Sequence, residues 1–387
     1  MKKILALVLA VAMVFSLAAC GGQTESTGAT SENTTAAPAE SSTAAPAPAA
    51  AVKVGVFWYS FADAFLSTVR DALDSSLKAA NVDFQNFDAA NNQATQLEQV
   101  QTAVTNGFNI LVVNLVTSGS ADAAQQIIDA AGKAPVLFFN RAIEGDGEEG
   151  KLLGANSNIA FIGTDAPEAG HMQGKMIGEY LLAHYDEVDL NGDGEISYAM
   201  FMGDATNVEA IYRTKYGVED ANAVLTAAGK PELVYFNPKN ADKYQLDPNG
   251  AWSAAAGNEF MTTNLAEYSE ANGNMIELVI ANNDDMALGA MAALQSAGYN
   301  NGGDSKMIPV FGVDATQPAR DAIAAGGMTG TVLQSAPAMA EAISATVVAL
   351  GKGTAPADAL AALASGEGVS MAEGFTNKLF VAYQPVN

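Results

Sequence analysis

The sequence predicts an α/β protein of two similar lobes, each a parallel sheet covered by helices on both faces, with a ligand cleft between them. Three observations carry that reading. The chain has 387 residues, 49% of them hydrophobic, enough to bury more than one core. After residue 50, short β-branched runs alternate with longer segments of helical period. The alternation then occurs a second time, and repeated βαβ units make parallel sheets. No sequence repeat marks the two series as a duplication.

The first series opens with a strand over 52–57 and a helix over 65–80, on which Phe65, Leu66, Val69, Leu73 and Leu77 share one face. A strand over 82–87, a helix over 93–105, a strand over 110–113, a helix over 121–131 and a strand over 136–139 complete it. The second series begins near Glu168 with a helix to Tyr185. It continues with strands over 196–202, 233–236, 278–281 and 308–313 and helices over 209–228, 254–271 and 286–297.

Ahead of both lies a targeting region. Residues 1–20 carry Lys2 and Lys3 and then an apolar run too short and wrongly flanked for a membrane span, which is the pattern of an export signal. Its end, Leu17-Ala18-Ala19-Cys20 before Gly21-Gly22, resembles a bacterial lipobox, in which cleavage exposes a cysteine that receives lipid. The alternative is an ordinary signal followed by an incidental thiol. Residues 21–50 hold no Leu, Ile, Val, aromatic or basic residue, so they read as a disordered spacer. The expected body is therefore extracytoplasmic and tethered to the membrane through lipid on Cys20.

Charge and composition exclude several functions. With 18 basic against 43 acidic residues the net charge is −25, and no Lys/Arg cluster follows residue 3, which removes nucleic acid as a partner. Cys20 is the single cysteine, so no intramolecular disulfide forms. Two histidines, His171 and His184, leave little for His-based metal or triad chemistry.

In open α/β sheets ligands bind beyond the carboxyl ends of the strands. The residues there are Tyr59 and Asp63, Asn114, Asn140-Arg141, Gly203-Asp204, Asn237, Asn282-Asn283-Asp284 and Asp314. Asn and Asp also cap helices and form turns, which by itself accounts for about half of such a set. Amides, carboxylates and guanidinium are nonetheless the groups that satisfy vicinal hydroxyls, and no GxGxxG or GxxxxGK[ST] follows any strand to suggest a nucleotide.

Between the series, Asp189-Leu190-Asn191-Gly192-Asp193-Gly194-Glu195-Ile196-Ser197 matches the first nine positions of an EF-hand calcium loop. Oxygen donors stand at positions 1, 3 and 5 (Asp189, Asn191, Asp193), glycine at 6, the Glu195 carbonyl at 7 and Ser197 at 9. Position 12 is Met200, so the bidentate carboxylate must come from elsewhere. The plain alternative is an Asx turn before a strand.

Taken together, GVFWYSFADAF, LVVNLV, VLFFNR, FIGTD, DLNGDGEIS, ELVIANNDDMALGA, PVFGVDA and GTVLQSA resemble, in order and over about residues 52–350, the galactose/glucose-binding branch of the type I periplasmic sugar-binding protein family, served by ABC importers. The resemblance implies two lobes joined by three crossings. It divides the chain into an N-terminal lobe of 51–163 and 335–370 and a C-terminal lobe of 164–334 and 371–387, with hinges near Gly163-Thr164, between Gly330-Thr331 and Gln334, and near Ser370. It implies a structural Ca2+ whose last ligand is Glu277. Carried over residue by residue, it assigns sugar binding to Asp63, Phe65, Asn114, Arg213, Trp252, Asn283 and Asp314.

Read alone, Phe65 is a core residue at the start of an apolar helix face, and Arg213 a solvated helix charge. Three positions depart from the family: Asn207 and Glu209 stand where it has His and Asp, and Gln334 replaces its Asn at the last lobe crossing. The resemblance thus implies a monomeric binding protein rather than an enzyme, taking a monosaccharide, D-glucose or D-galactose first, with another hexose or a pentose open. Its partner is an ABC importer permease or, alternatively, a sensor or chemoreceptor. A glycosidase using Asp63, Glu209 and Asp314 is the rival from the enzyme class.

Overall fold

The computed structural model describes residues 51–386 apart from 146 and 149, so the signal, Cys20 and spacer lie outside the described residues. The first lobe is built from β1 (Lys53–Trp58), α1 (Ala64–Ala79), β2 (Asp83–Asp88), α2 (Gln93–Thr105), β3 (Ile110–Val113), α3 (Ala121–Ala131), β4 (Val136–Phe139), α4 (Lys151–Ala155) and β5 (Ile159–Gly163). The second follows with α5 (Ala166–Val188), β6 (Ser197–Met202), α6 (Val208–Ala227), β7 (Val234–Tyr235), β8 (Gln245–Leu246), α7 (Ala254–Glu267), β9 (Leu278–Ala281), α8 (Asp284–Ser296), β10 (Val310–Asp314), α9 (Gln317–Ala324) and β11 (Gly330–Leu333). The chain then returns to the first lobe with α10 (Ala336–Gly351), which packs on α1, then α11 (Pro356–Ala361), β12 (Val369–Met371) and β13 (Lys378–Val381), and ends in the second with β14 (Gln384–Val386).

The first sheet has the order β12-β13-β5-β4-β3-β1-β2, the second β14-β11-β10-β9-β6-β7 with β8 also on β6. Side chains alternate across the first sheet as a pleat requires: Val54, Val56 and Trp58 enter one core, Phe57 the other, and Ile110 and Val112 part from Leu111 and Val113 in the same way. Both faces are covered, which explains why these strands read as unbroken apolar runs.

The two-lobe α/β expectation holds, with two amendments. Each sheet carries an antiparallel edge, β12 on β13 and β14 on β11. The β12–β13 edge is joined by a short connection that returns the chain antiparallel, whereas a parallel neighbour needs a long crossover. The third crossing also falls later than expected. Residues 371–381 belong to the first sheet, because β13 pairs in parallel with β5 and leaves only β14 for the second. The third crossing is therefore at 382–383 and not near Ser370.

Candidate functional site

The ends of β1, β4, β6, β9 and β10 and the crossing after β11 converge on one cavity between the lobes, some 390 Å³ of space not filled by atoms, mouth included. Nine of the ten residues expected to bind ligand line it: Asp63, Phe65, Asn207, Glu209, Arg213, Trp252, Asn283, Asp314 and Gln334. Asn114 does not. It is fully buried behind the wall, accepting the Tyr59 N–H (3.4 Å) and donating to Phe139 O (3.1 Å) and Asn140 Oδ1 (3.3 Å), so it fastens three strand exits together.

Helix capping and cavity lining are one feature here. Asp63 Oδ1 accepts the Leu66 N–H at the start of α1, Asn207 Oδ1 that of Ala210 in α6, and Asn283 Oδ1 that of Met286 in α8. Three helix N-termini thus point at the cavity, each satisfied by a residue that also faces it. The second Asp63 oxygen accepts the Tyr59 hydroxyl at 2.6 Å, and Asn283 Nδ2 donates to Trp252 O at 3.0 Å.

Three of the nine non-glycine residues with positive φ among the described residues lie in the same place. Asn140 (φ 60°), Trp252 (φ 56°) and Asp314 (φ 122°) all take positive φ and all line the cavity. The Trp252 ring lies so close over Gly203 that a Cβ there would sit 2.1 Å from it, so glycine at the β6 exit is what gives the indole its seat. Phe65 is both a core residue of the first lobe and a wall of the cavity, so its two readings are compatible.

The cavity's charge is unusual in kind. Burial pushes the Asp314 carboxyl well above the usual range, with Arg213 opposing and Asp284, Asp63 and Asp285 reinforcing it. Burial works against the charge on Arg213, but Tyr383, Asp314 and Glu209 outweigh it and raise its pKa. Arg213 Nε, Trp252 Nε1 and Gln334 Nε2 are buried donors with no partner in the protein. Such groups are expensive to leave unmade, and three on one cavity call for a ligand rich in acceptors.

Across the cleft, Arg141 Nη2 reaches Asp204 Oδ2 at 3.1 Å, joining first lobe to second, while its guanidinium stacks on Tyr59 at 4.2 Å. Asn91 Nδ2 donates to Asn249 O, a second bridge. Tyr59, Asn140 and Arg141 line the cavity although the carried-over site omits them; they are visible in the sequence as strand exits, which was their only signal. Leu66, also at the wall, is indistinguishable in sequence from the rest of the α1 face.

The acidic loop lies apart from this cavity. Asp189 accepts the Gly192 and Gly194 N–H groups, and Asp193 that of Glu195. Glu277, wholly buried, reaches the loop: Oε1 accepts from Leu190 and Asn191, Oε2 from Ser197. The Ser197 hydroxyl is turned to Met275 O. Burial raises the Glu277 carboxyl against those three bonds, and Asp189 adds to the rise. An all-oxygen set of this charge fits a hard cation in kind. Among the described residues no three carboxylate, imidazole or thiolate groups converge on one point.

Comparison with known proteins decides the family. The periplasmic binding protein domain matches residues 54–355. The chain belongs to that family. A D-galactose/methyl-galactoside binding periplasmic protein of Haemophilus influenzae is 33% identical over 74% of this chain and 77% of its own length. A putative rhizopine-binding protein of Rhizobium meliloti is 28% identical over 87% of this chain and 91% of its own. Among solved structures, an ABC transporter solute binding protein of Clostridium phytofermentans with bound β-D-glucose gives a TM-score of 0.64 at 18% identity, covering 87% of this chain and 94% of that one. Another from Bacillus halodurans, with bound myo-inositol, gives 0.63 at 22%, covering 88% and 96%. The resemblance to type I sugar-binding proteins is borne out at the level of family and fold. Members bind a solute outside the cytoplasmic membrane and do not transform it, so the glycosidase reading falls.

Proposed function

We propose that the protein is the extracytoplasmic solute-binding lipoprotein of a sugar ABC importer, and that it closes its lobes on a monosaccharide, D-glucose or D-galactose first. The observation that carries this is the pairing of three partnerless buried donors with the carboxylates of Asp63, Glu209 and Asp314 in one cavity lined by both lobes. A sugar hydroxyl donates and accepts at once, so a ring of hydroxyls answers both sets. Phe65 from the first lobe and Trp252 from the second offer flat faces for the C–H sides of a pyranose. The galactose-binding relative and the glucose-bound neighbour support the choice of hexose.

Asn207 Oδ1 accepts the α6 cap bond, which leaves its second lone pair and the amide N–H groups for a ligand. That departure, with Glu209 and Gln334, leaves a second reading in which the ligand is another polyol. The myo-inositol-bound neighbour favours testing it. Titration calorimetry with D-glucose, D-galactose, D-allose, xylose, ribose, arabinose and myo-inositol should show one ligand binding at micromolar affinity or tighter. Heat from none of them would end the sugar reading.

The proposal extends to the tether and the loop. Lipid on Cys20 would hold the folded body at the membrane, with 21–50 as the spacer. Calcium would be held by Asp189, Asn191, Asp193, the Glu195 carbonyl, Ser197 and Glu277, and would pin the start of β6 to the start of β9. It supplies no chemistry at the sugar.

A further inference from the structure

All three connections between the lobes meet at one guanidinium. Arg213 Nη2 donates to the Tyr383 hydroxyl at 3.1 Å and to Gln334 Oε1 at 3.3 Å, while Nη1 is held by Asn282 O at 2.9 Å. Gln334 follows β11 on the second crossing, and Tyr383 stands between β13 and β14 on the third. The first crossing joins through the same hydroxyl, which lies 2.7 Å from Oγ1 of Thr164, the residue after β5. Thr164, Gln334 and Tyr383 are each 2–3% exposed and Arg213 is 4% exposed, so water does not stand in for a lost partner.

Rigid lobes rotate by changing dihedrals at a few element ends, and here those ends carry the hydrogen-bond partners themselves. A rotation that moves Thr164 and Tyr383 relative to Gln334 cannot leave Nη2 bonded as before. A buried guanidinium must then turn or pay for unmade bonds. Arg213 Nε, partnerless at the cavity wall, turns with it.

We propose that the Tyr383 hydroxyl is a positioning group that sets Arg213 according to the angle between the lobes, so that the ligand site reads closure from the hinge as well as by bridging the cleft. Burial raises the phenol's pKa, with Arg213 opposing, so the hydroxyl keeps its proton and can accept from Arg213 while donating to Thr164. The inference rests on the cleft being a closing sugar site, and its test separates the two.

Tyr383→Phe removes one oxygen and keeps the ring; Thr164→Val severs the same chain from its other end. Each should lower affinity for the sugar that binds the wild type by about tenfold, chiefly through faster dissociation. Each should also shift the ligand-free small-angle scattering curve, a readout that needs no ligand. In an Arg213→Lys background, which cannot make the same Nη2 bonds, the further loss from Tyr383→Phe should vanish. Additive losses would overturn the inference while the sugar reading stands, as would unchanged affinity with unchanged scattering. If the wild type binds none of the sugars, the function proposal fails, and the ligand-free curves of wild type and Tyr383→Phe still decide this one: identical curves refute it.

Discussion

The cleft and the acidic loop at 189–197 are both polar, and both sit where a helix or strand ends, yet they differ in what completes their hydrogen bonds. In the loop, the carboxylates of Asp189, Asp193 and Glu277 are met by backbone N–H groups a few residues away or directly facing them. In the cleft, Arg213, Trp252 and Gln334 each bury a donor that no protein atom meets. Strain follows the same division, since the positive-φ side chains at Asn140, Trp252 and Asp314 belong to the cleft. A region that satisfies itself is a turn that folding can finish alone, whereas a region that does not is finished by something else. A cation at the loop would add charge neutralisation to bonds already made; a ligand in the cleft would make bonds that are missing.

The largest effect that tests this contrast is at Trp252. Trp252→Ala should weaken binding of the wild-type sugar by roughly 2 kcal/mol, about thirtyfold, in calorimetry. If affinity holds while the melting temperature drops, Trp252 serves the core of Met202 and Ala210 it packs on, and the cleft is as self-contained as the loop. Next in size, chelation should lower the melting temperature by roughly 5 °C with sugar affinity nearly unchanged, and Glu277→Gln should mimic it. A shift from Glu277→Gln but none from chelation would mean that the backbone N–H groups alone hold the loop closed.

The smallest effect concerns pH. Asp285, beside the cleft, is pushed up to about 6 by burial and then by Asp63. The folded chain therefore binds a proton there that the unfolded chain takes up only near an ordinary aspartate pKa of about 4. Stability should rise as pH falls from 7 through 6 toward 5, because the folded state binds more protons in that window. Asp284 and Asp314 are shifted in the same direction, so Asp285→Asn should reduce the rise without abolishing it. Equal slopes for variant and wild type in thermal melts would show that Asp285 is no more desolvated than a surface carboxylate.

Much of this was legible in the sequence, for identifiable reasons. Strands such as 110–113 and 136–139 and helices such as 93–105 and 121–131 match to the residue, because apolar runs and polar caps mark both ends. β7, expected over four residues, is only two, and β8 and β12 were not foreseen, since short edge strands have little apolar pattern of their own. Asn114 was misplaced because a strand-exit amide looks the same whether it faces a ligand or ties neighbouring strands. Arg141 is legible as a strand exit, but its bonds to Leu115 O, Val116 O and Asp204 are long-range, and no local spacing encodes them. Tyr383 lay beyond the last assigned element, so its meeting with Arg213 across 170 residues was invisible.

The cap residues at the cavity set a rule for how this pocket can change over generations. Asp63, Asn207 and Asn283 each accept the N–H that opens a helix while facing the ligand. A mutation that trades any of them for an apolar or long side chain removes a cap worth about 0.5–2 kcal/mol along with a ligand contact. Asp, Asn, Ser and Thr are the side chains that keep such a cap, and the four differ in charge, reach and number of donors. Ligand preference at these positions can therefore drift among hydroxyl patterns by single steps, while a turn toward an apolar ligand would require the helix starts to be rebuilt first.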